Sequence, residues 1–272
     1  MQVVSASSAT KELPVTLGPV QTQEVREDAQ VRQRSHRVLA IVPAYNEAGS
    51  IAAVVSEIRR AQPVVDVVVI DDGSFDATAM LAEKAGATVL RMPFNVGIGG
   101  AVQTGYQFAL ARGYDVAIQV DGDGQHDPSE IGKIVAPLIE GEADMAVGTR
   151  FRGERTYRAP LGRRIGIGMF ARIVSVMVGH KVTDTTSGFR AVNRSGIRLF
   201  AREYPNDYPE VETIVLLCRH ALTMTEVPVE MRERAAGTSS ITLIRSIYYV
   251  VKVMLALAIG LFRKPRALPE EL

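Results

Sequence analysis

Residues 38–72 read VLAIVPAYNEAGSIAAVVSEIRRAQPVVDVVVIDD, and their pattern decides the fold. Val38–Val42 is an apolar run that stops at Pro43, as a buried strand does. Asn46 and Ser50 then open a stretch of helical period that runs to about Arg60. Val64–Ile70 is a second apolar run, ending abruptly at Asp71-Asp72-Gly73-Ser74. Strand, helix and strand joined by short connections predict a parallel βαβ unit.

The same alternation continues outward. Asp76 predicts a helix cap, and the helix runs to about Ala85, where Gly86 ends it. Ala87–Arg91 reads as a third strand. The Asn95–Gly100 loop leads into a helix that reaches about Arg112 and stops at Gly113. Val116–Val120 is a fourth strand, Pro128 starts another helix, and Asp144–Gly148 is a fifth strand. Strands apolar throughout imply a sheet covered on both faces. In such sheets ligands bind beyond the carboxyl ends of the strands. The acidic and glycine-rich segments converge there: Pro43–Glu47, Asp71–Ser74 and Asp121–Asp127.

Composition bounds the rest. The 272 residues are 47% hydrophobic and 22% charged, which excludes a wholly disordered chain. A net charge of +1 lacks the basic excess of a dedicated nucleic-acid binder. Cys218 is the single cysteine, so neither a disulfide framework nor a cysteine-rich zinc site is available, and a reducing compartment fits. Residues 1–36 are polar and read as a flexible tail, with no apolar stretch resembling a signal peptide.

Charge is uneven along the chain. Residues 150–172 carry Arg150, Arg152, Arg155, Arg158, Arg163, Arg164 and Arg172 against Glu154 alone. Interleaved apolar residues make this a basic amphipathic segment, either a solvated helix face or a surface for an anionic ligand. Ile241–Phe262 is the most apolar part and is long enough to span a bilayer. Arg245 and Lys252 lie on one helical face, and charge near mid-membrane is expensive. A helix lying in the membrane interface therefore competes with a span and with a helix packed on the core or a partner. The expected domains are a tail over 1–36, a catalytic domain over 37–240 and a membrane-interfacial helix and tail over 241–272.

Asp121-Gly122-Asp123-Gly124-Gln125-His126-Asp127 follows a buried strand. Two carboxylates at i and i+2 can converge on one hard cation, and Mg2+ or Mn2+ accepts a few carboxylates plus substrate phosphates. An EF-hand is excluded, because its positions six and twelve hold His126 and Gly132. Of Asp71 and Asp72, one reads as a local cap and the other as an acceptor for a ligand N–H. Asn95–Gly100, with Gly97, reads either as a phosphate cradle or as a tight turn into a helix. It lacks the G-x-G-x-x-G pattern and follows the third strand, which weakens a dinucleotide dehydrogenase. No nucleophile elbow, P-loop or HExxH motif is present. His126 is a candidate site residue, whereas His180 and His220 read as structural.

These motifs together carry a resemblance. PAYNE (Pro43–Glu47), DDGS-x-D-x-T (Asp71–Thr78), DGDGQHDP (Asp121–Pro128), GTRF (Gly148–Phe151) and TSGFRA (Thr186–Ala191) resemble, in order, family 2 glycosyltransferases. The likeness is greatest to the branch that loads a sugar onto a polyprenyl phosphate, the dolichyl-phosphate mannose synthase type. It implies the GT-A fold, a Rossmann-like, mixed, mainly parallel α/β sheet flanked by helices, here with a C-terminal amphipathic or apolar helix. It implies that Pro43, Ala44, Tyr45, Glu47 and Asp72 hold the nucleoside of a nucleotide-sugar, with Asn95 and Gly97 beside them. Asp121, Asp123 and Gln125 match the positions that handle Mg2+ or Mn2+ and the diphosphate. Arg150 and Arg190 match arginines near an acceptor phosphate. Arg234–Ser239 resembles the R-x-x-G-x-S loop that closes over the diphosphate, with Ser240 where relatives carry Lys and Ile98 where many carry Lys.

The implied reaction is inverting transfer from a UDP- or GDP-sugar to a polyprenyl phosphate for cell-envelope glycan synthesis. The implied location is cytoplasmic, peripheral to the inner face of the plasma membrane, with a small membrane-protein partner or a homo-oligomer compatible. A lipid phosphate is already an anion and needs arginines rather than a base. If a base is required, Asp184, Glu210 and Glu212 are the candidates. Other readings are a polysaccharide or small-molecule hydroxyl acceptor, or a non-catalytic nucleotide-sugar-binding subunit. A nucleotidyltransferase would begin with a Gly/Arg/Lys-rich loop rather than PAYNE.

Overall fold

A computed structural model describes residues 36–149, 172, 175, 182–184, 187–206 and 209–232. In chain order these form β1 (Val38–Ala44), α1 (Ile51–Ala61), β2 (Val65–Asp71), α2 (Thr78–Lys84), β3 (Thr88–Arg91), α3 (Gly97–Ala111) and β4 (Val116–Gln119). A 3-10 turn (Pro128–Glu130) leads into α4 (Ile131–Ile139), followed by β5 (Met145–Thr149), β6 (Arg190–Asn193), α5 (Arg194–Arg202), α6 (Pro209–Arg219) and β7 (Met224–Pro228). Among the described residues the seven strands make one sheet in the order β3-β2-β1-β4-β6-β5-β7.

Five strands follow the alternation read from the sequence, with ends within about two residues. The helix expected at Pro128 starts as the 3-10 turn, and Asp127 caps it by accepting from the Ser129 N–H at 3.0 Å. The sheet is mixed as expected, because β6 runs antiparallel to both β4 and β5. One expectation fails at the margin. β3 is an edge strand whose residues are exposed or half-buried, so it is not covered on both faces. Its side chains also include Thr88 and Arg91, which suit an edge.

Two cores sandwich the sheet. Alternate residues of β1 part between them: Leu39 and Ile41 pack toward α3, α5 and α6, while Val38, Ala40 and Val42 pack toward α1, α2 and α4. This is the period-two alternation of a strand buried on both sides. Burying side chains such as Ile41, Ile58 or Ile118 contributes about 1.5–3 kcal/mol each.

The topology locates the crevice. The chain moves outward from β1 to β2 to β3, then returns to place β4 on the other side of β1. The strand order reverses between β1 and β4, where open α/β sheets bind ligands. The loops after these two strands touch: a Cβ on Gly122 would lie 3.1 Å from the Pro43 carbonyl oxygen.

Candidate active site

The loops after β1, β2 and β3 form a corner closed by its own hydrogen bonds. Three consecutive N–H groups, of Asn46, Glu47 and Ala48, donate to Ser74 Oγ (2.9 Å), Thr78 Oγ1 (2.8 Å) and Asp76 Oδ2 (3.2 Å). In return Asn46, at a positive φ of 54°, accepts from the Phe75 N–H at 2.9 Å. Asp76 also accepts from the Thr78 N–H and hydroxyl, which holds its carboxyl below its ordinary value. Thus Ser74, Asp76 and Thr78 of DDGS-x-D-x-T orient PAYNE. Glu47 turns its carboxylate to the Ser50 hydroxyl at 2.9 Å. Pro43 and Ala44 are buried, and Tyr45 is exposed at the lip.

Asp71 and Asp72 divide their roles. Asp71 Oδ1 accepts from the Ser74 N–H at 3.2 Å, a local turn. Asp72 is 4% exposed and accepts from two N–H groups at the start of α3: Val96 to Oδ1 at 2.8 Å and Gly97 to Oδ2 at 2.9 Å. Asn95 Oδ1 accepts from the Gly97 N–H as well, at 3.1 Å. A helix N-terminus attracts anions, and here the anion is Asp72. Of the two readings of Asn95–Gly100, the structure shows the turn into a helix, since Val96 and Gly97 already direct their N–H groups at a carboxylate.

The loop after β4 is built differently. Asp121 has its side chain 36% exposed, and Asp123 and Gln125 are half-buried. Gln119, buried at the end of β4, donates from Nε2 to Asp121 Oδ1 at 3.1 Å. The Asp121 N–H donates to His126 Nδ1 at 3.0 Å, leaving His126 Nε2 3.5 Å from Asp121 Oδ2. The imidazole is buried and stacked on Phe189, with centroids 4.5 Å apart and planes 9° apart. Asp123 Oδ1 accepts from the Gln125 N–H at 3.0 Å, which shapes the turn. A Cβ at Gly188 would sit 3.1 Å from Asp121 Oδ2 and 3.4 Å from Gln119 Nε2, so a side chain there would press on the Asp121 carboxylate and its partner.

Among the described residues no group of three or more His, Cys, Asp and Glu side chains is assembled as a metal site. The Asp121 loop instead offers two carboxylates and an amide at the crevice. These hard oxygen donors fit a cation such as Mg2+ or Mn2+ that completes its shell with substrate oxygens and water.

Arg190, which the resemblance places near an acceptor phosphate, is 1% exposed. Its guanidinium donates to the carbonyls of Ser187 and Glu210 and to Thr213 Oγ1. It therefore ties β6 to the first turn of α6. Of the acidic residues left over, Asp184 is fully buried and its N–H donates to Glu226 Oε1 at 3.0 Å. Burial raises the Glu210 carboxyl above its ordinary value, opposed by the Arg190 charge. His220 ends α6 with Nε2 buried and without a hydrogen-bond partner, consistent with a structural place.

Sequence reasoning missed Gln119, Gly188 and Arg232. A polar residue closing an apolar strand was the available signal for Gln119; the other two become visible only in three dimensions. Arg150, Arg234, Ser239, the basic segment except Arg172, and the Ile241–Phe262 helix lie outside the described residues, as does the tail up to residue 35. Among the described residues no helix is long and apolar enough to cross a membrane.

The fold and the crevice define the class of Rossmann-like α/β proteins that bind ligands at an acidic carboxyl edge. Residues 39–200 match the family model for glycosyl transferase family 2. The chain belongs to that family and is a glycosyltransferase. It is 29% identical over 230 residues to the polyprenol monophosphomannose synthase of Mycolicibacterium smegmatis, covering 81% of this chain and 86% of that one. It is 32% identical over 215 residues to the undecaprenyl-phosphate mannosyltransferase of Micrococcus luteus, covering 76% and 88%. Among solved structures it matches glucosyl-3-phosphoglycerate synthase from Mycobacterium tuberculosis, in complex with Mn2+, uridine diphosphate and glucosyl-3-phosphoglycerate. That match has a TM-score of 0.66 and 19% identity over 95% of this chain and 88% of that one, and it shows the GT-A fold.

Proposed function

We propose that the protein transfers one sugar from a UDP- or GDP-sugar to a polyprenyl phosphate at the cytoplasmic face of the membrane, with inversion and with Mg2+ or Mn2+. The observation that carries the reading is the pair Asp121 and Asp123 in the loop after β4, with Asp121 partly exposed and oriented from behind by Gln119 and His126. The acceptor is drawn from the names of the two relatives, which act on polyprenol and undecaprenyl phosphates.

In this reading the anomeric C–O bond to the nucleoside diphosphate breaks and a bond to the acceptor phosphate oxygen forms on the opposite face. A bound divalent cation would supply positive charge to the departing diphosphate. Asp121, Asp123 and Gln125 would hold that cation. Tyr45, at the lip, and Glu47, beside the Asp121 loop, would hold the nucleoside, with Asp72 setting their corner through α3. Arg150 would hold the acceptor anion, and Arg234 and Ser239 the diphosphate. A phosphate acceptor needs no deprotonation, which agrees with Asp184, a candidate base, being fully buried.

A membrane surface is supported by the exposed apolar side chains. Phe75 (91% exposed), Phe94 (67%), Tyr45, Val96 and Ile98 all stand in the loops after β1, β2 and β3 or the first turn of α3. Exposed apolar residues gathered on one edge mark an interaction surface.

The test supplies radiolabelled UDP- and GDP-sugars, Mn2+ and undecaprenyl phosphate. Organic-extractable label that disappears with Asp123→Asn is expected. Label found only in a water-soluble product overturns the acceptor.

A further inference from the structure

Past Pro228, at the end of β7, the chain continues as a strap along the end of β5 and the loop after β4. The Val229 N–H donates to the Thr149 carbonyl at 3.2 Å, and Met231 forms an antiparallel bridge with His126. The Arg232 N–H then donates to the Gln125 carbonyl at 2.9 Å. The Arg232 guanidinium lies 2.5 Å from Glu57 Oε2 on α1 and 3.3 Å from Asp127 Oδ1. The side chain is about half exposed, and the hydrogen bond to Glu57 raises its pKa further above the ordinary arginine value.

We propose that Arg232 is a positioning residue that clamps the Asp121–Asp127 loop to α1 and so fixes Asp123 and Gln125 for the metal and diphosphate. Both backbone polar groups of Gln125 are held: its N–H by Asp123 Oδ1, its carbonyl by the Arg232 N–H. The guanidinium adds a cross-link between Asp127, two residues on, and a helix on the far side of the loop. The loop needs this support, because Gly122 and Gly124, the latter at φ +78°, give it little stiffness of its own. An isolated exposed ion pair adds little to global stability. The consequence of the clamp is therefore local: it lowers the cost of ordering the loop when ligand binds. None of Arg232, Glu57 or Asp127 touches a reacting atom. The inference rests on the metal-and-nucleotide reading of this loop.

The experiment uses the full chain, with MnCl2 plus UDP or GDP as the probe. Binding is followed by calorimetry and by the Mn2+ spin-resonance signal, and loop ordering in the metal-free protein by amide hydrogen exchange over residues 123–127. Arg232→Gln and Glu57→Gln should each weaken Mn2+–nucleotide binding by about three- to tenfold. Each should speed exchange in the loop while leaving the melting temperature close to wild type. High salt should bring the wild type toward the variants, because the clamp is exposed to screening. Arg232→Lys, which keeps a cation between Asp127 and Glu57, should recover part of the binding lost in Arg232→Gln, which a merely structural loss would not. Unchanged binding and unchanged exchange in both single variants overturn the clamp. A wild type that binds neither Mn2+–nucleotide pair overturns the function reading instead, and the exchange data then decide the clamp alone.

Discussion

The two acidic loops that follow β2 and β4 look alike as sequence and are built in opposite ways. Asp71-Asp72 belongs to a corner closed on itself: Asp72 is buried and takes two N–H groups from the start of α3. Asp121-x-Asp123 belongs to a loop that is open at the front and oriented from behind by Gln119, His126 and the strap carrying Arg232. The difference teaches that a carboxylate's role follows from where its donors come from. Donors that converge on both oxygens turn it into a fastener. A donor behind it, with a solvent-facing front, leaves it able to take a cation.

That contrast can be broken by substitution. The largest effect is expected at Asp123→Asn, which keeps the shape and removes the charge. Removing a single group that stabilises charge at the leaving diphosphate should lower kcat/KM by about 10²–10³ with little change in melting temperature. A parallel melting loss would erase the distinction. At Gln119→Leu the partner behind Asp121 is lost. Substitutions of this kind weaken metal affinity by about 10- to 100-fold, which titration of Mn2+ against activity would measure. An unchanged Mn2+ requirement would mean that Asp121 holds its orientation without Gln119.

In the closed corner the readout reverses. Asp72→Ala leaves the Val96 and Gly97 N–H groups without their acceptor, at a cost of about 1–3 kcal/mol. At about 2–4 °C per kcal/mol, thermal denaturation should show it clearly. A variant that melts normally but fails to bind nucleotide would move Asp72 from fastener to ligand contact. The smallest effect concerns Glu210, in the first turn of α6. Burial raises its carboxyl above the ordinary value, with Arg190 opposing. The unfolded chain therefore ionises first, and stability falls as pH rises from the ordinary glutamate range through the raised value. Glu210→Gln removes that fall, so the variant should melt above wild type at neutral pH and equal to it in acid. Equal melting at both would show that burial there costs the carboxylate nothing.

Much of this was legible in the chain. Val38–Val42, Val64–Ile70 and Val116–Val120 announced buried strands because burial on both faces demands nearly continuous apolar runs, interrupted here only by the exposed Asp66 and by Gln119 at the end of β4. β6 and β7 did not. Arg190-Ala191-Val192-Asn193 begins with a charge and ends with an amide, so its period is obscured. The place of Arg190 near an acceptor phosphate came from the family resemblance, which says nothing of its burial. Its burial depends on carbonyls of Ser187 and Glu210 that folding brings together.

What the sequence alone determined is the class of the molecule: alternating strands and helices, acidic segments after the first, second and fourth strands, and five ordered motifs of one glycosyltransferase family. Those are local properties, set by side-chain period and by which residue types tolerate a turn. What only the tertiary structure decided is which carboxylate faces the crevice. Asp72 meets its donors 24 and 25 residues downstream, and Arg232 meets Glu57 across 175 residues. Hydrogen bonds act over about 3 Å of space and are indifferent to sequence distance. The partner that makes one aspartate a fastener and leaves another at an open crevice is therefore chosen by packing.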